Sequence, residues 1–201
     1  MGKIMILNAS PRAPRSHSKA YADIFSKYSK QETEYFIVSS PYYERIFAQI
    51  EQVSDVLLVF PLYADGIPVP LLKFLKELQQ RSFQKKPVIS VLINCGFFEP
   101  GQNDIAVEMV KIFCRQNGYV FGSVLKIGSG EAILTTPFVW FVKRNIKKLA
   151  QSIHKQRYQT LQTTMPISVK MFVRASTRYW LSYGEKNGVT EEQMQTMQIE
   201  D

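Results

Sequence analysis

Cysteine and histidine are scarce, with two of each in 201 residues, and their positions exclude the common metal chemistries. Cys95 and Cys114 form no Cys-x-x-Cys pair, and His17 and His154 add no ligand cluster by spacing, so neither a structural zinc nor an iron–sulfur cluster is expected. Cys114 falls on the apolar face of a helical pattern and reads as a small core residue. Cys95 ends a strand, where a chemical role requires an exposed, electropositive setting. No apolar run approaches the roughly 18 residues of a membrane span. The first residues show no basic region followed by an apolar run and a small-residue cleavage site. Ile6 stands where an N-myristoylation motif requires Ser or Thr. The expectation is a soluble, cytoplasmic protein. Two nucleotide signatures are also missing, the spaced glycines of a dinucleotide fingerprint and the Gly-Lys-Ser/Thr of a triphosphate loop.

What is present suits one domain with a full core and an appendage. The apolar fraction is 45%, that of a globular protein. The net charge of +8 is unevenly spread. Pro137 to Lys186 carries ten Lys or Arg against one acid, Glu185, whereas Asn187 to Asp201 carries four acids and no Lys or Arg. Such a basic block is a solvated face or an attractor of anions.

Strands and helices alternate along the chain. Lys3 to Asn8, Glu34 to Ser39, Asp55 to Phe60, Pro87 to Asn94 and Tyr119 to Ile127 read as strands. Helical spacing recurs between them, as in Ile46, Phe47, Ile50 and Val53, then Leu71, Leu72, Leu75 and Leu78, then Ile105, Met109, Ile112 and Phe113. Phe138, Val142, Ile146, Leu149 and Ile153 continue one face through a fifth helix. The first, third and fourth strands are continuous apolar runs, which indicates burial on both faces. The order predicts an α/β fold, a doubly wound five-stranded parallel sheet of order 2-1-3-4-5, with ligands outside the carboxyl ends where the order reverses. The domain is placed at residues 1–157, and 158–201 are read as a carboxy-terminal helical extension.

Three loops at those carboxyl ends have unusual composition. The first, Asn8-Ala9-Ser10-Pro11-Arg12 followed by Arg15-Ser16-His17-Ser18, joins a strand to a helix capped by Ser16 or Ser18. A helix N-terminus with serine hydroxyls and two guanidinium groups suits a phosphate. Taken alone, the same residues also make an ordinary capped helix after a polar loop. The second, Pro61-Leu62-Tyr63-Ala64-Asp65-Gly66-Ile67-Pro68-Val69-Pro70, is stiffened by prolines and carries a tyrosine ring. The third, Asn94-Cys95-Gly96-Phe97-Phe98, has a glycine that allows close backbone approach.

Together these residues resemble the flavodoxin-like NAD(P)H-dependent FMN reductase family. The resemblance rests on Ser10-Pro11-Arg12 with Ser16-His17-Ser18, on Pro-Leu-Tyr, Asp and Pro-x-Pro before the helix of Leu71 to Leu75, and on Gly128-Ser129-Gly130-Glu131. The tail from Met165-Pro166-Ile167 through Trp180 to Lys186-Asn187-Gly188 resembles that of one branch. The resemblance implies a flavodoxin-like fold in which Ser10, Arg12, Ser16, His17 and Ser18 hold the FMN phosphate. By the same resemblance Pro61, Leu62, Tyr63, Ala64 and Asp65, and from the third loop Asn94, Cys95, Gly96 and Phe97, contact the isoalloxazine. It implies NAD(P)H as co-substrate and a quinone, flavin or similar small-molecule acceptor, with no metal and no catalytic acid or base, since the flavin carries the chemistry. A flavodoxin-type electron carrier and a cofactor-less flavodoxin-like binding protein are the alternatives. The carrier docks through a strongly acidic surface by resemblance, whereas this chain is basic.

Met165 to Tyr183 forms an aromatic, basic, amphipathic pattern. Packing on its own domain or homo-oligomerisation is the favoured reading, contact with a membrane surface the less favoured one. Nucleic acid is not expected as a partner.

Overall fold

Unbroken apolar runs build the centre of the molecule. The computed structural model describes residues 2–196, and the chain divides into two compact units, Met1–Met165 and Pro166–Asp201. In the first unit β1 (Ile4–Asn8), β3 (Asp55–Pro61) and β4 (Val88–Asn94) are buried along nearly their whole length. Strands covered on both faces have no solvent side on which to place polar residues. With β2 (Thr33–Ile37), β5 (Phe121–Ile127) and β6 (Thr160–Thr163) they form one parallel sheet of order β2-β1-β3-β4-β5-β6.

The sixth strand corrects the five-stranded expectation. β6 pairs with β5 from Val124–Thr160 to Ile127–Thr163. Its sequence, Thr-Leu-Gln-Thr, holds one apolar residue, because a short edge strand with one neighbour can stand without an apolar run. The first unit includes this strand and continues to Met165.

Helices cover both faces. On one, α2 (Tyr43–Ile50), α3 (Val69–Gln79) and α4 (Asp104–Gln116) bury Ile46, Phe47, Phe74, Val110 and Phe113 in a core shared with Met5, Leu7, Leu58, Val91 and Ile93. Alternate strand residues point the other way. There α1 (His17–Tyr28) and α5 (Val139–His154) pack on each other and on the sheet, burying Tyr21, Phe25, Val142 and Ile146.

The second unit holds α6 (Val169–Lys186) and α7 (Glu191–Gln195). α6 begins at Val169, not Met165, because Ser168 is its N-cap, the hydroxyl accepting from the Met171 N–H at 3.3 Å. Thr190 and Gln193 form a capping box at the start of α7. Between the two helices Gly188 takes φ 74°. Of the acidic residues expected after Asn187, Glu200 and Asp201 lie outside the described residues.

Candidate functional site

The strand order reverses between β1 and β3, so the connections leaving their carboxyl ends run to opposite faces and open a crevice. A cleft of about 400 Å³ lies there, lined by Ser10, Arg12, Arg15, Ser16, His17, Ser18, Pro61, Asn94 and Glu131. Seven of the residues expected at the site are thereby brought together: Ser10, Arg12, Ser16, His17, Ser18, Pro61 and Asn94.

One buried side chain organises the first wall. Asn8, at the end of β1, accepts the Ser10 N–H at 3.0 Å and donates to the Tyr35 hydroxyl at 2.8 Å and to Ser16 Oγ at 3.4 Å. Ser10 then folds the loop back, its Oγ accepting the Arg12 N–H at 3.3 Å and its carbonyl the Ala13 N–H at 3.0 Å. Ser16 rather than Ser18 caps α1, accepting the Lys19 N–H at 3.2 Å. Consequently the backbone N–H groups of Arg15, Ser16, His17 and Ser18 have no protein acceptor among the described residues. No acid occupies the first turn of α1. Orphan donors at a helix N-terminus, with the guanidinium groups of Arg12 and Arg15 beside them, match the donor set that an oxyanion requires.

The second wall is tied to the first. Ser18 Oγ donates to Asn94 Oδ1 at 3.2 Å, joining α1 to the end of β4. The Leu62 N–H donates to the Asn94 carbonyl at 2.7 Å, joining β3 to the same point. From β5, the Gly130 N–H donates to the Cys95 carbonyl at 2.7 Å, while the Tyr21 hydroxyl donates to the Gly130 carbonyl at 2.5 Å. Burial pushes the Tyr21 phenol far above its ordinary value, so it stays a neutral donor. Glycine is required in this loop by close approach. A Cβ on Gly128 would collide with the Phe98 carbonyl, and one on Gly130 would lie 2.9 Å from Asn94 Cβ.

The remaining expected residues sit outside the cleft. Tyr63 and Gly66 pair through 3.1 Å hydrogen bonds in both directions, closing a turn in which Ala64 and Asp65 take φ 46° and 57°. Two successive positive φ values are those of a type I′ turn. This turn carries Tyr63, 57% exposed, and Phe97 is 52% exposed on the next loop. Gly96 is exposed with open space around it. Leu62 packs against the core. Cys95 is 3% exposed, with Asn103 Nδ2 donating to its Sγ at 3.3 Å. Burial pushes its thiol up, against the opposing effect of that hydrogen bond, which leaves a poor nucleophile.

Asn8, Tyr21 and Glu131 are the site residues that sequence reasoning left without a role. The position of Asn8, the first polar residue after a buried strand at the reversal, is a usable signal. Tyr21 looks like any apolar helix residue.

No protein-family model matches the sequence, and no curated protein matches it at the sequence level. Solved structures do resemble it in shape. An NADH:FMN oxidoreductase in its apo form superposes with a TM-score of 0.62 at 12% identity, over 78% of this chain and 90% of the other. A flavodoxin of Streptococcus pneumoniae TIGR4 gives 0.56 at 14% identity, over 77% and 99%. The rubredoxin:oxygen oxidoreductase of the anaerobe Desulfovibrio gigas gives 0.61 at 12% identity over 78% of this chain, which spans only 36% of that protein. The parallel sheet, its point of reversal and these likenesses lead to one conclusion: the chain has the flavodoxin-like fold.

Proposed function

We propose that the cleft binds FMN and that the chain is an NAD(P)H-dependent flavin oxidoreductase acting on a quinone, a free flavin or a similar acceptor. The observation that carries this reading is the set of unpaired N–H groups at Arg15 to Ser18, flanked by Arg12 and Arg15, at the sheet's point of reversal. The donor set fits a phosphate monoester. Arg12 and Arg15 supply charge-assisted hydrogen bonds to its oxygens, and the end of α1 supplies backbone donors without reorganisation. Ser18 and Asn94 hold the two walls at fixed separation. Tyr63 and Phe97, on loops that leave adjacent strands, offer aromatic surface beyond the phosphate end.

When bound, the flavin supplies two-electron exchange between a nicotinamide and the acceptor. The polypeptide positions and excludes. The Cys95 N–H is taken by the Ile127 carbonyl at 2.9 Å, so the backbone donors that this loop would offer to the reduced ring are those of Gly96 and Phe97, and no side-chain acid or base is assigned a proton transfer. The NADH:FMN oxidoreductase among the structural neighbours supports this reading by its fold and its name.

The test is spectroscopic. Purified protein is expected to show flavin absorbance, or to acquire it on addition of FMN, and to oxidise NADH or NADPH in the presence of a quinone. Folded protein that does neither overturns the proposal. Flavin binding without nicotinamide oxidation favours the electron carrier instead.

A further inference from the structure

Glu131 is the single acid among the residues that line the cleft, and it shares that lining with Arg12 and Arg15. Its place is fixed by the two residues before it. Ser129 holds φ 52°, a left-handed value that is costly for any residue but glycine and persists only where the surroundings enforce it. Here its N–H donates to the Phe97 carbonyl at 2.5 Å, its carbonyl accepts from the Ile133 N–H at 2.9 Å, and its hydroxyl pairs with that of Thr164 at 2.9 Å. Gly130 is bonded on both sides, to the Cys95 carbonyl and to the Tyr21 hydroxyl. Glu131 is thereby brought to the cleft by the loop that follows β5, whereas the arginines come from the loop that follows β1.

The carboxylate is exposed, and among the described residues it makes no ion pair and no side-chain hydrogen bond. It neutralises neither arginine and keeps its full capacity as an acceptor. A cleft with two guanidinium groups from one loop and an unpaired carboxylate from another sorts ligands by charge. The carboxylate accepts from hydroxyl groups in strong, charge-assisted hydrogen bonds. It repels any second anionic group. A phosphate monoester on an uncharged, hydroxylated chain meets both conditions, and FMN, whose ribityl chain separates the phosphate from the ring, is of this class. Pyrophosphate and nucleoside polyphosphates are not, although the arginines attract them.

We propose that Glu131 is a specificity-determining residue of the cleft, its carboxylate accepting a hydrogen bond from a hydroxyl of the ligand's polyol chain and its charge keeping a second phosphate out. This rests on the proposed binding of FMN and adds the basis on which the cleft tells FMN from other anions.

The test is isothermal titration of the full chain, and of its Glu131→Ala and Glu131→Gln variants, with lumiflavin, riboflavin and FMN. Lumiflavin lacks the polyol chain, and riboflavin lacks only the phosphate. Glu131→Ala is expected to weaken riboflavin and FMN about tenfold each, the effect of one charge-assisted hydrogen bond, and to leave lumiflavin unchanged. Pyrophosphate, followed by its competition with FMN, should bind about fivefold more tightly to either variant once the like charge is gone. Glu131→Gln keeps an acceptor without the charge, so it should recover part of the riboflavin affinity while binding pyrophosphate as tightly as Glu131→Ala does. Circular dichroism and urea midpoints should hold, because the side chain is exposed and unpartnered. Equal losses for all three flavins, an unchanged affinity for riboflavin, or an unchanged affinity for pyrophosphate overturns this inference and leaves the FMN reading in place. A parent that binds none of the three flavins overturns the FMN reading itself, and this inference with it.

Discussion

The two halves of the crevice are built by opposite means. The wall formed by the β1–α1 loop is held from within, by Asn8 to Ser10, Ser16 and Tyr35, and by Ser18 to Asn94. The N–H groups of Arg15 to Ser18 have no protein acceptor among the described residues. The rim is held by the Tyr63–Gly66 backbone pair and by the Phe97 carbonyl, which accepts from the Ser129 N–H and the Cys95 thiol, and its two rings stand in solvent. In the proposed complex with FMN, one half takes the phosphate on donors that are already in place, and the other offers aromatic surface for the planar ring. Pre-organisation is thus concentrated where charge must be neutralised, since fixed donors and dipoles then need no rearrangement on binding.

The comparison breaks most directly at the arginines. Arg12→Ala combined with Arg15→Ala is expected to lower affinity for FMN about a hundredfold, from two charge-assisted hydrogen bonds. Riboflavin, which lacks the phosphate, should be unaffected. Isothermal titration with both ligands checks this, and an equal loss for riboflavin would mean that the arginines do not face a phosphate.

A second break removes the internal scaffold. Asn8→Ala strands the Ser10 N–H and takes the donor from the Tyr35 hydroxyl, at a cost of about 2 kcal/mol in urea unfolding. FMN affinity should fall with it, because the loop loses the bonds that aim its donors. Unchanged stability would show that Ser10 and Tyr35 find other partners.

The aromatic half should respond less and differently. Tyr63→Ala and Phe97→Ala each remove an exposed ring, so the melting temperature should hold. Affinities for FMN and riboflavin should fall together, by about fivefold per ring. A loss confined to FMN would contradict the division of labour between the two halves.

The same contrast explains what could be read in the sequence. β1, β3 and β4 were legible because burial on both faces writes unbroken apolar runs such as Ile4-Met5-Ile6-Leu7. The residues of the first wall were legible as a group because a cap, serines and arginines at a strand-to-helix junction have a local physical meaning. β6 was not, since Thr160-Leu161-Gln162-Thr163 draws its pairing from β5 and not from its own pattern. Cys95 and Leu62 look like site residues because they adjoin the crevice along the chain. Side-chain direction sends one toward Asn103 and the other against the core, and that is decided by tertiary packing. The position of Asn8 at the end of β1 is legible and its bond to the Ser10 N–H is local, but its bond to Tyr35, 27 residues away, is set by the pairing of β1 with β2.

The smallest expected effect on flavin binding, none, concerns the Cys95 thiol next to the aromatic rim. Burial raises Cys95 above its ordinary value of 9.0, so at pH 8 the native thiol is protonated and shielded. Iodoacetamide should therefore label it at least about tenfold more slowly in native than in urea-unfolded protein, with flavin binding unchanged. The linkage has a definite sign. An unfolded cysteine loses its proton near pH 9 while the buried one keeps it, so the stabilisation is fully present below that pH and is lost as pH rises through the folded value. Cys114, pushed up to about 12 by burial, contributes in the same direction and more strongly. Urea midpoints should thus hold to about pH 8 and fall above it, with Cys114→Ala flattening the fall more than Cys95→Ala. A reactive Cys95 at neutral pH would instead place a nucleophile beside the crevice, and the rim could no longer be regarded as chemically passive.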